Sequence, residues 1–174
     1  MANTKVVQLA VANGAGASSS QFVAFDSGDH NIFVGGLEGC TSVIVVSRLG
    51  AFMSHYWENP AFEFTGAADR FQADVLDNLT EGLQPQAATF ADITTSNIFI
   101  MTPTTQDNNL NGPGDAANGN WPQEYPGRIT QITTLLGTLL PNVPITYFVY
   151  QRQINRLLFN GNVYGKAMVI ALKP

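Results

Sequence analysis

Residues 35–57 read Gly-Gly-Leu-Glu-Gly-Cys-Thr-Ser-Val-Ile-Val-Val-Ser-Arg-Leu-Gly-Ala-Phe-Met-Ser-His-Tyr-Trp. At the centre, residues 41–46 form a β-branched run with no apolar–polar alternation, which predicts a strand buried on both faces. Arg48-Leu49-Gly50 supplies turn chemistry, and residues 51–57 run back as the second arm of a hairpin. Pro60 ends that arm. Before the first arm, Gly35-Gly36-Leu37-Glu38-Gly39 is a tight glycine-rich turn that delivers the chain to Cys40.

Working outward, residues 5–11, 21–25 and 31–34 read as strands, and the glycine- and serine-rich stretch 13–20 as a flexible loop. Ser27-Gly28-Asp29-His30 is a turn, with His30 solvated. Over residues 65–83 the period becomes helical, with Ala68, Phe71, Val75, Leu76 and Leu79 on one face. Thr65 reads as its N-cap and Gly82 as its stop. Residues 96–101 form a strand and 129–140 a second helix, and 145–150 and 163–172 close the fold as strands. Between them, 102–127 is a long loop rich in Thr, Asn, Gly and Pro that carries Trp121 and Tyr125. No internal repeat is present. The expectation is one α+β domain spanning residues 1–174, a mixed sheet with at least two helices.

Composition narrows the function classes. Apolar residues make up 45% of the chain, as in a globular core, whereas charged residues are 12%, about half the usual share. The net charge is −5 and no Lys/Arg cluster exists, which argues against nucleic acid as a partner. No apolar run is long enough for a membrane-spanning helix. The first seven residues lack a signal-peptide core, so the protein either stays inside its cell or has lost its signal. A glycosylation sequon stands at Asn78-Leu79-Thr80. One cysteine rules out an intrachain disulfide and a thiolate zinc site, and two histidines 25 residues apart make a poor metal site. No glycine pattern suited to nucleotide binding precedes a helix, and no cofactor is expected.

The chemistry concentrates on Cys40 and His55. A thiol attacks a carbonyl carbon as its thiolate, and a positioned imidazole supplies that form by taking the proton. The resulting oxyanion needs backbone N–H donors, which a glycine turn ending at the nucleophile can present; Glu38, Gly39 and Cys40 are the candidates. Register decides whether the pair can meet. A direct pairing of Cys40 with His55 needs a hairpin centred between Ser47 and Arg48. A turn centred on Leu49 instead sets His55 opposite Val43, roughly 10 Å away along the strand, unless a bulge closes the gap.

Leu37-Glu38-Gly39-Cys40 followed by Thr41 resembles the Leu-Ser-Gly-Cys motif of the cytotoxic necrotizing factor and Burkholderia lethal factor deamidase toxins. The chemotaxis-receptor deamidases have a related glycine-rich approach to their cysteine. The resemblance covers residues 31–57, and Glu38 stands where the toxins have serine. It implies a β-sandwich-like core flanked by helices, with His55 as the partner of Cys40. It further implies hydrolysis of a glutamine side chain on a target protein through a thioester, as in an effector or toxin. An upstream oxygen would orient His55, for which Asn31 and Asp29 are candidates. Trp57, Trp121 and Tyr125 would wall the substrate cleft.

Two other readings stay open. Cys40 can be a packed residue of a non-catalytic binding domain, or the pair can act on a small amide or peptide. The deamidase reading expects a partly exposed, low-pKa Cys40, and a His55 replaceable without change in melting temperature.

Overall fold

The computed structural model describes residues 3–7, 10–12, 15–26, 28–37, 39–63, 65–104, 123–150 and 167–172. The strands, in chain order, are β1 Asn3–Val7, β2 Ala10–Ala12, β3 Ala15–Ala17, β4 Ser19–Ala24, β5 His30–Val34, β6 Ser42–Val46, β7 Gly50–His55, β8 Asn97–Pro103, β9 Ile145–Tyr150 and β10 Ala167–Ala171. The helices are α1 Glu58–Ala61, α2 Asn78–Leu83 and α3 Pro126–Leu139. Residues 15–20, expected as loop, instead supply β3 and the start of β4, because β3 pairs back on β2.

The quoted stretch builds the middle of a five-stranded sheet of order β4-β7-β6-β8-β9. Its neighbours are antiparallel except β8 and β9, which run parallel and are joined through α3. A three-stranded sheet, β1-β5-β10, lies over one face. Ile32 and Val34 from β5 share a core there with Val23, Ile44, Ala51 and Met53. On the other face Val43, Val45, Phe52, Ile98 and Ile100 pack with Phe71, Val75, Leu79, Ile129, Ile132 and Leu136 of the helical layer. The protein is thus α+β, with two sheets stacked and helices on the outside of the larger one. β6 is buried on both faces, which is why its sequence shows no alternation.

The helical run differs from its sequence reading at both ends. Thr65 flanks only a short 3-10 turn, Gly66–Ala68, and makes no side-chain cap. Asp69 takes the capping role, accepting the Phe71 N–H at 2.9 Å. Its carboxyl is held below the usual range by the Arg128 guanidinium, 2.7 Å away, and by that N–H. The run begins in π-helical form at Gln72–Asp77 and passes through α2. Gly82 does not stop it; the chain continues as a 3-10 segment, Gln84–Phe90. Glycine is needed at 82 for a different reason, since a Cβ there would stand 2.5 Å from the Phe52 ring. The sequon also has a structural task, because Asn78 Oδ1 accepts the Tyr56 hydroxyl at 3.1 Å.

Candidate active site

Hairpin geometry sets the spacing of Cys40 and His55. Ser47 N–H donates to Gly50 O at 2.9 Å, closing a loop of Arg48 and Leu49. Ser47 Oγ fixes that loop by accepting the Leu49 N–H and donating to Thr89 O. The ladder runs through Val46–Ala51, Val45–Phe52 and Ile44–Met53, and reappears at Thr41–Tyr56 in the same register. Between them Ser54 Oγ stands in for the backbone, accepting Val43 N–H at 2.8 Å and donating to Val43 O at 3.2 Å. No bulge intervenes.

This register sets His55 opposite Ser42, not Val43, and Cys40 opposite Trp57. The hairpin centre falls between Arg48 and Leu49, rather than on Leu49. That half-residue difference matters because side chains alternate with period two. Centred on Leu49, the hairpin would turn His55 to the face away from Cys40. In this register the two are diagonal neighbours on one face, a relation that in a regular ladder separates Cβ atoms by about 7 Å.

Three contacts hold the approach to Cys40. Gly39 has φ +98°, a left-handed conformation that glycine adopts freely. The Tyr150 hydroxyl, at the end of edge strand β9, donates to Cys40 O at 2.5 Å and accepts the Gly39 N–H at 3.1 Å. Behind Gly39, the buried Glu58 carboxylate occupies the space a side chain would fill, and the Tyr125 hydroxyl donates to it. Burial raises the pKa of Tyr150, and the neighbouring Cys40 side chain acts in the same direction. It therefore stays protonated and able to donate throughout the physiological range. Tyr150→Phe leaves a buried Gly39 N–H without its acceptor. It should lower unfolding free energy by about 1–3 kcal/mol in urea titration.

Two of the expected cleft residues, Trp57 and Tyr125, are among the described residues. Trp57 is half-buried beside Cys40, with its N–H on Ser18 Oγ at 3.1 Å. Tyr125 reaches the site through Glu58, and burial followed by Glu124 and Glu63 raises its pKa. Asn31 sits on the outer face of β5, paired with the exposed Ile170, because alternation gives the inner face to His30, Ile32 and Val34. Asp29 is exposed. His30 is buried rather than solvated, with Nε2 2.8 Å from Asp26 Oδ1. The Gly28 N–H and His30 hold the Asp26 carboxyl below its usual range. Glu38 and Trp121 lie outside the described residues, as do 105–122 of the long loop.

Burial overturns one expectation directly. Cys40 is only 3% exposed and His55 2%. The thiol belongs to the core cluster of Leu37, Ile44, Met53 and Tyr150, which packs over it from the sheet and the turn. Sequence reading missed Tyr150, Glu58 and Ser42. Only Ser42 had a local signal, standing two residues after Cys40 on the same strand face.

Among the described residues no group of three or more His, Cys, Asp or Glu side chains could hold a metal, and no helix is long and apolar enough to cross a membrane. An apolar cleft of about 290 Å³ opens on the helical side, between Ala87, Phe90, Leu139 and Val143, with no titratable group in its lining. Neither family models nor curated proteins match this chain.

Proposed function

We propose that the protein is a cysteine hydrolase that deamidates a glutamine side chain on a target protein, with Cys40 as nucleophile and His55 as general base. The supporting observation is their shared face on the β6–β7 ladder, as diagonal neighbours just after the left-handed Gly39 turn. His55 takes the thiol proton, and the thiolate attacks the carboxamide carbon. The tetrahedral intermediate collapses with cleavage of the C–N bond, and ammonia leaves with the proton from His55. Water then adds to the thioester, giving its proton to His55. The C–S bond breaks to release the glutamate side chain and restore the thiol.

The oxyanion would fall to backbone N–H groups of the turn around Cys40. Gly39 joins them only when Tyr150 releases its N–H, since that donor is engaged. A folded target is required, because a buried pair must be opened by the surface that carries the glutamine.

Burial favours a second reading, in which Cys40 is a small packed residue of the core between the sheets. Iodoacetamide labelling of the folded protein across pH separates the two. The hydrolase reading expects Cys40 to label well below pH 8, at a rate set by transient opening. Labelling only after denaturation selects the packed cysteine. Ammonia release from protein and free-glutamine substrates then tests the substrate class, with efficient release from free glutamine pointing to a small-amide hydrolase.

A further inference from the structure

Ser42 is wholly buried, and its Oγ has no hydrogen-bond partner among the described residues. Buried hydroxyls are normally paired, so this one calls for a physical account. Alternation along β6 puts Ser42 on the same face as Cys40 and Ile44, and the hairpin register sets it opposite His55. Across the other ladder it faces Met101, whose thioether is a weak acceptor. His55 is therefore its polar neighbour in the two ladders.

We propose that Ser42 is a positioning residue for His55, an inference that rests on the hydrolase reading above. Neutral imidazole carries one N–H, and the imidazolium formed when Cys40 loses its proton carries two. One N–H points to the thiolate; the Ser42 hydroxyl, turned by one rotamer step, accepts the other. The hydroxyl then stabilises the thiolate–imidazolium pair more than the neutral one, and favours the reactive form of Cys40. That Ser42 Oγ meets no partner among the described residues before proton transfer is the counterpart of that role, since a bond made at rest would favour the neutral state equally.

The test is the pH titration of Cys40 in the folded protein, followed by thiolate ultraviolet absorbance with Cys40→Ala as the blank. Among the described residues Tyr150 on β9, Glu58 on α1 with Tyr125 and Glu124 near it, and the His30–Asp26 pair beside β5 are titratable groups of this region, and they are kept in every variant. Ser42→Ala should move thiolate formation up by about one pH unit, about a tenfold loss of thiolate well below the midpoint and about fivefold at the wild-type midpoint. Its melting temperature should be unchanged or higher, because the hydroxyl has no bond to lose. Ser42→Thr should restore the wild-type titration.

A Ser42→Ala profile that overlays the wild type overturns the proposal, as does a fall in melting temperature without a shift in titration. His55→Gln distinguishes the two layers of the argument. If it and the wild type titrate alike, His55 does not act on Cys40, and the hydrolase reading falls together with the role of Ser42. If they differ while Ser42→Ala matches the wild type, only the role of Ser42 falls.

Discussion

Cys40→Ala is expected to lower kcat/KM for target deamidation by about four to six orders of magnitude, and His55→Gln by a similar factor. The two losses should not add in the double variant, because nucleophile and base act as one unit. Burial changes how these variants must be read. His55 is 2% exposed, so His55→Ala would leave a cavity and depress the melting temperature whether or not the ring is a base. His55→Gln fills most of that volume and is the informative replacement. Loss of activity with a melting temperature close to wild type supports the base. A folded His55→Gln protein that retains activity would remove His55 from the mechanism.

Gly39→Ala is expected to cost about 2–4 kcal/mol in chemical denaturation and to impair Cys40 reactivity in whatever folded fraction remains. Two effects combine. A φ of +98° is unfavourable for any residue with a Cβ, by about 1–2 kcal/mol, and the added methyl would overlap the Glu58 carboxylate. Gly36→Ala is the control. Gly36 also has a left-handed φ, +75°, but nothing lies within 4 Å of a Cβ built there, so only the conformational part, about 1 kcal/mol, should be lost. Equal losses in the two variants would show that the Glu58 contact is unimportant.

Periodicity in the sequence revealed the strands at 41–46 and 145–150 and the helix near 129–140, because each buries one stripe or both faces in a regular pattern. The hairpin was legible to within one residue, and that residue decided the site. Residue 49 and the space between 48 and 49 are equally good turn centres by composition, yet they put His55 on opposite faces of the sheet. Gly82 misled because glycine marks a helix end and a close contact alike, and only the Phe52 ring distinguishes them. Asn31 was chosen for its position upstream of Cys40, but its face follows from pairing within a second sheet that local sequence does not encode. Tyr150 had no signal at all, since its contact with Gly39 spans 111 positions.

That long span gives Cys40 a history as well as a geometry. Residues 39–57 leave the ribosome with the turn, the thiol and the imidazole already in order, but without the hydroxyl that clamps the turn. Tyr150 arrives only after α3 has crossed over and β9 has docked in parallel on β8, the kind of distant pairing that forms late. A nascent or prematurely ended chain thus carries the thiol with its approach unclamped. Completion of the β9 edge is the step that fixes the turn, so the conformation around Cys40 is tied to an intact sheet and not to the hairpin alone.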